Sequence, residues 1–242
     1  MNKVVLITGG SRGIGKATAL EFAKHGFDVV VNYVSDEISA NTIVEEIKKI
    51  GVNSLAIKCD ISNENDVKNM VNTIMSTYGK IDVVVNNAGI AIDTTFEDKT
   101  KDNFMKILEV NLVGTFLVSK EVSKYMNSGS IINISSDCGI DKGYPEGMDY
   151  DASKAGVISL TKDLAKQFAP KIRVNTVAPG WVLTDMNKEL DYDFIKKEEK
   201  KILLNRFADP IEIAKVVYFL STEDASYING SVIRVDGGVN NV

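Results

Sequence analysis

The chain is poor in the side chains that hold metals and crosslinks: one histidine, His25, and two cysteines, Cys59 and Cys138, in 242 residues. With no clustered ligands, no metal site is expected. The cysteines form neither a CxxC pair nor a disulfide framework, so reduced thiols are expected. No window approaches the roughly 18 uninterrupted apolar residues of a membrane span. The opening Met1-Asn2-Lys3-Val4-Val5-Leu6-Ile7 lacks both the apolar length and the cleavage signal of a secretory peptide, so a cytoplasmic protein is expected. An excess of positive charge is missing too. Lys and Arg number 28 against 33 Asp and Glu, a net charge of −5 that offers no footprint for nucleic acid or an anionic membrane. Without an internal repeat, a low-complexity tract or a Pro/Gly-rich linker, residues 1–242 are expected to form a single domain.

What is present is a rhythm. Runs rich in Val and Ile recur between longer amphipathic stretches, as in strands buried on both faces and covered by helices. Strands are expected at Val4 to Thr8, Val29 to Tyr33, Ser54 to Lys58, Ile81 to Asn86, Ser130 to Ser135, Arg173 to Ala178 and Val232 to Val235. Helices are expected at Gly15 to Lys24, Ala40 to Ile50, Glu64 to Thr77, Phe104 to Met126, Tyr150 to Phe168 and Ile211 to Leu220. The alternation predicts an α/β fold: a doubly wound, seven-stranded parallel Rossmann-type sheet with helices on both faces. His25, before Gly26, falls where it would cap the first helix. The stretch from Asn187 to Asn205 breaks the rhythm, mixing dense charge with Leu190, Phe194, Ile195 and Ile202. It reads as a solvated amphipathic helix or as a substrate lid over 187–205.

After the first strand comes Thr8-Gly9-Gly10-Ser11-Arg12-Gly13-Ile14-Gly15. Glycines there permit a tight turn and a close approach of pyrophosphate to backbone N–H groups at a helix N-terminus, so a dinucleotide is expected. An NAD site would place an acid at the end of the second strand, where this chain has Asn32 and Tyr33. Arg12 is placed to meet a 2′-phosphate, aided by Asn32, Tyr33 or Ser35, and the cofactor expected is NADP(H). Asp36 comes slightly late and reads as a helix N-terminal residue, unless a loop returns it.

The other polar motifs follow strand ends: Asp60-Ile61, Asn86-Asn87-Ala88-Gly89, Ser135-Ser136 and Pro179-Gly180-Trp181-Val182-Leu183-Thr184. Each alone could be a turn. Together they gather where an open parallel sheet binds its ligands. Tyr150 and Lys154 lie four apart, one helical turn, where a cation can favour the phenolate of a group whose ordinary pKa is about 10. That arrangement suits acid/base chemistry.

The ordered set Thr8-Gly9, Gly13, Gly15, Asp60, Asn86-Asn87-Ala88-Gly89, Asn111, Ser136, Tyr150, Lys154, Pro179-Gly180, Thr184 and Asp236-Gly237-Gly238 resembles the short-chain dehydrogenase/reductase family across essentially the whole chain. Within it, the likeness is to β-ketoacyl-acyl-carrier-protein reductases. The resemblance implies an oxidoreductase that reduces a carbonyl to a secondary alcohol. Tyr150 would donate a proton to the carbonyl oxygen and Lys154 would lower the phenol's pKa and hold the nicotinamide ribose. Ser136, or its rival Ser135, would bind the substrate oxygen, and Asn111 would support a proton path to Lys154. Val182 and Thr184 would meet the carboxamide, Asp60 the adenine, and Asn87 to Gly89 the adenosine ribose. Trp181 would line the pocket or pack, and Cys138 reads as an inert buried thiol. The substrate implied is a 3-oxoacyl thioester on acyl carrier protein, in fatty acid biosynthesis, handled by a homotetramer. Free carbonyls or alcohols (sugar, diketone, steroid) are the alternative, and a non-catalytic NADP-binding regulator is a third reading. Basic residues that would greet an acidic carrier protein are expected before strands five and six, yet Tyr125-Met126-Asn127-Ser128-Gly129 has none and the second stretch offers only Lys171.

Overall fold

Seven strands form one sheet: β1 (Val4–Ile7), β2 (Asp28–Tyr33), β3 (Ser54–Lys58), β4 (Val83–Asn86), β5 (Gly129–Ile134), β6 (Ile172–Pro179) and β7 (Val232–Val235). The computed structural model describes residues 2–187 and 190–239, so 188–189 of the expected lid lie outside the described residues. Every pairing is parallel, in the order β3-β2-β1-β4-β5-β6-β7. The order in which strands are laid down reverses between β1 and β4, which pair in parallel with Ile7 opposite Val85. That reversal opens the crevice at the strands' C-terminal ends.

The helices are α1 (Gly13–Lys24), α2 (Glu37–Ile50), α3 (Glu64–Tyr78), α4 (Lys101–Leu108), α5 (Gly114–Val122), α6 (Met148–Phe168), α7 (Tyr192–Glu199) and α8 (Pro210–Ser221). Side chains alternate across each strand, so β1 feeds two cores. Val5 and Ile7 pack with Phe22, Ile43, Ile47 and Val217 on one face, while Val4 and Leu6 pack with Met70, Ile74, Val118 and Leu164 on the other. Helix starts follow their caps: Asp36 accepts from the Ser39 N–H, and Asp209 with Glu212 forms a capping box ahead of α8. Asp36 is therefore a helix cap. His25 is the C-cap of α1 and stacks on Tyr218, ring centroids 3.9 Å apart.

The helix expected over 104–126 differs. It starts at Lys101 behind the Thr100 cap and is interrupted by a π-helical turn, Glu109–Val113, before α5. The cause is Asn111, whose amide turns inward to bond both backbone groups of Ile90, at 2.8 and 2.9 Å. Such turns concentrate at functional sites. Within 187–205, α7 sets the Phe194 ring against Trp181, centroids 5.7 Å apart. Among the described residues, no helix is long and apolar enough to cross a membrane and no His/Cys/Asp/Glu group is placed to hold a metal.

Candidate active site

The glycine turn packs backbone against backbone where side chains would not fit. A Cβ on Gly15 would stand 2.2 Å from the Gly9 carbonyl oxygen and 2.6 Å from the Asn87 amide. Gly9 and Gly13 adopt φ of +62° and +54°, which L side chains avoid. Arg12 is the N-cap of α1 and gives it no side-chain cap, so the helix opens with backbone donors toward the crevice. Polar side chains brace this turn. Thr8 Oγ1 accepts from the N–H groups of Asn87 and Ala88, and Asn87 donates to the carbonyls of Thr8 and Gly9. Asn32 accepts from the Gly9 N–H at 3.2 Å and donates to the Cys59 carbonyl at 3.0 Å. The Asn32 side chain is buried, and its amide also reaches the carbonyls of Tyr33 and Ile57. Tyr33 packs in the core beside Ala40 and Val44. Arg12 is exposed, and its charge, after the Ser39 hydrogen bonds, helps hold the Asp36 carboxyl below its ordinary range.

Asp60 accepts from the Ser62 N–H and hydroxyl, which hold its carboxyl low, and so fixes the turn after β3. Ile61 is buried against Gly114, whose added Cβ would lie 2.7 Å from its Cδ1. Thr184 faces Gly13 at van der Waals distance, Ala88 crowds Gly9, and Gly180 follows Pro179 with its N–H on the Val235 carbonyl. Val182 is buried and bridges Ala208. Ser11 lies in the same turn, and Ile14 in the first turn of α1.

The second half of the crevice brings four expected residues together. Lys154 sits with its ammonium 5.4 Å from the centre of the Tyr150 ring and donates to the Ile134 carbonyl at 2.9 Å. Asn111 Oδ1 and Lys154 Nζ both border Gly89, 3.3 and 3.4 Å from where its Cβ would be. Asn111 also donates to Ser153, which donates to the Tyr150 carbonyl at 2.7 Å. The two serines separate: Ser135 donates to the Lys154 carbonyl at 2.8 Å, whereas Ser136 hydrogen-bonds the Tyr150 side chain.

Burial pushes the Tyr150 phenol above its ordinary value, with the neighbouring Cys138 and Asp137 adding to the rise and the Ser136 hydrogen bond opposing it. Burial lowers the Lys154 ammonium to about 8. The phenol keeps its proton at neutral pH, the state a proton donor needs. Burial likewise raises the Cys138 thiol to about 12, as an inert thiol requires.

Three features had no signal in the sequence. Lys99 and Asp149 form a buried ion pair with two 2.9 Å contacts, and Asp149 also accepts the N–H of Tyr150 at 3.0 Å. Glu198, on the inner side of α7, accepts from Tyr144 at 3.1 Å and from the Trp181 indole at 3.3 Å. Trp181 in turn packs among Tyr144, Phe194 and Phe207. The third is the Asp137–Lys142 pair beside Ser136. The stretches expected to carry basic residues near the mouth precede β5 and β6, so within one protomer they lie at the sheet edge opposite Tyr150.

Known proteins place this arrangement. A family model described as "Enoyl-(Acyl carrier protein) reductase" matches residues 9–240. A 3-oxoacyl-[acyl-carrier-protein] reductase of Staphylococcus epidermidis is 41% identical over 243 residues, covering 99% of each chain. One from Synechocystis is 42% identical, covering 98% of this chain and 96% of its own. A short chain dehydrogenase from Burkholderia cenocepacia, solved in complex with NADP, superposes with a TM-score of 0.92 at 32% identity, covering 98% of this chain and 97% of its own. By sequence along its whole length and by fold, the chain belongs to the short-chain dehydrogenase/reductase family, an oxidoreductase built for a nicotinamide cofactor.

Proposed function

We propose that the chain is an NADPH-dependent reductase of 3-oxoacyl thioesters, the substrate of its full-length relatives. The observation that carries the reading is the meeting of Ser136, Tyr150, Lys154 and Asn111 at the end of a glycine cradle that has no room for a Cβ. When bound, NADPH supplies the hydride for the carbonyl carbon. Tyr150 gives its proton to the carbonyl oxygen, and Ser136 orients that oxygen. Lys154 holds the nicotinamide ribose and, with Asn111, replaces the proton on Tyr150. Gly9, Ser11, Gly13, Ile14 and Gly15 hold the phosphates. Asp60, Ile61 and Asn87 to Gly89 hold the adenosine half, and Pro179, Gly180, Val182 and Thr184 the carboxamide.

The choice of NADP over NAD is supported by the exposed Arg12 and by Asp36, whose carboxylate is occupied in capping α2. Exposed Val113 and Phe116 on the π-turn and α5, and Tyr227 before β7, support burial between subunits of a homotetramer. We place the enzyme in the cytoplasm, working on acyl carrier protein in fatty acid synthesis, with 187–205 as its substrate lid. The missing basic residues before β5 favour a second reading, reduction of a free ketone.

The test is NADPH oxidation with acetoacetyl thioesters, free or on acyl carrier protein, against free ketones and sugars. The proposal expects kcat/KM for the best thioester at least tenfold higher, about 1.4 kcal/mol. A faster free ketone establishes the second reading.

A further inference from the structure

Most of the charge on α7 points to solvent, with one exception. Asp193, Lys196 and Lys197 are exposed, whereas Glu198 is only 3% exposed. A carboxylate taken out of water is destabilising unless donors reach its oxygens. Three do. Glu198 Oε2 accepts from the Tyr144 hydroxyl at 3.1 Å and from the Trp181 indole N–H at 3.3 Å, and its Oε1 accepts from Lys201. Lys201 follows three residues later in the same segment. The other two donors come from distant parts of the chain.

Those parts flank the reacting groups. Tyr144 lies on the loop between Ser136 and Tyr150, and its N–H donates at 3.0 Å to Asp151, the neighbour of Tyr150. Trp181 follows Gly180, where a Cβ would stand 3.4 Å from the carboxylate of Asp137, the neighbour of Ser136. The rings close the gap: Trp181 meets Tyr144 with centroids 5.8 Å apart and meets Phe194 of α7 edge to face. Beyond α7 the chain is held by backbone instead. The N–H groups of Leu203 and Leu204 donate to the carbonyls of Gly238 and Gly237, and Ile202 bridges Val239. With that end anchored, Glu198 ties α7 to both sides of the crevice.

We propose that Glu198 is a positioning residue that clasps α7 across the substrate mouth through Tyr144 and Trp181. The inference rests on 187–205 being the substrate lid. Clasped, α7 meets the substrate as a wall already in place. Unclasped, it is in place for only a fraction of the time, and apparent substrate affinity falls by that fraction. The loss is read in KM, while kcat, set at Tyr150, stays near the parent value.

The variants that test this are Glu198→Ala, Tyr144→Phe and the two combined. Hydrogen exchange of the α7 amides is followed by mass spectrometry on each free protein, because it reports local opening. Steady-state reduction is measured with NADPH and whichever compound of the thioester and ketone panel the parent reduces fastest. Glu198→Ala should speed α7 exchange and raise KM, each by about tenfold, as expected for hydrogen bonds to a charged group. NADPH affinity and kcat should stay close to the parent values. Tyr144→Phe should have the same effects to a smaller degree, and the combined variant should lose no more than Glu198→Ala alone, since both remove one contact. Unchanged exchange, additive losses, or a fall in kcat with KM unmoved overturns the proposal. Faster exchange with both KM and kcat unmoved overturns it by removing the lid reading beneath it. Should Glu198→Ala fail to fold, Tyr144→Phe decides by the same two measurements. Exchange needs no substrate, so the clasp is judged on it even where the reductase reading fails.

Discussion

The cofactor side of the crevice, from β1 to the turn after β4, is held by backbone; the substrate side, from β5 onward, is held by buried charge. On the first side, glycines admit backbone against backbone, and Thr8, Asn32 and Asn87 tie the turns with neutral hydrogen bonds. On the second side, Lys99 pairs with Asp149 at the start of α6, Lys142 with Asp137 beside Ser136, and Glu198 with two aromatic side chains. The contrast suits the tasks. A dinucleotide's phosphates need fixed N–H donors in one geometry. Proton transfer needs a field that sets where a proton rests.

The contrast can be broken or sharpened by substitution. The largest effect is expected from Lys99→Met, which strands the Asp149 carboxylate in the interior at a cost of about 3–5 kcal/mol. Urea unfolding measures it, and Lys99→Met/Asp149→Leu should recover most of the loss, because a buried pair replaced as a whole by apolar groups is tolerated. If the double variant recovers stability but not turnover, the ion pair's task is to set the first turn of α6 under Tyr150.

Gly15→Ala comes next. Its Cβ would meet the Gly9 carbonyl, so the turn has to shift, at about 1–3 kcal/mol. NADPH affinity, followed by fluorescence titration, should fall at least tenfold. Unaltered affinity would show that the cradle is not the phosphate site. Arg12→Ala should weaken NADPH about tenfold, near 1.4 kcal/mol, and leave NADH unchanged. Equal losses for both would remove Arg12 from the 2′-phosphate. The smallest effect is Asp36→Ala, a slight fall in melting temperature with NADPH preference intact. A changed preference there would return Asp36 to the ribose.

The same contrast explains what could be read from the sequence. All seven strands and the glycine turn after β1 were legible because buried parallel strands demand Val and Ile, and tight turns demand glycine. Residue type there is dictated locally. The break at 109–113 was not, since it depends on Asn111 meeting Ile90. The strand-end position of Asn32 was visible, while its hydrogen-bond partners Gly9 and Cys59, far along the chain, were not. Lys99 and Asp149 lie 50 residues apart, and nothing in either neighbourhood announces the other. The two serines could not be told apart locally either: just past the end of β5, Ser135 turns to the Lys154 carbonyl, 19 residues along the chain.

The central claim is that Tyr150 is the proton donor at a site whose cofactor cradle stands without it. Tyr150→Phe tests this most directly, with NADPH binding and single-turnover reduction of an acetoacetyl thioester measured on the same preparation. The account predicts NADPH affinity nearly unchanged and reduction slowed by about 10²–10⁴-fold, the usual contribution of a positioned general acid. Reduction at the parent rate would contradict it.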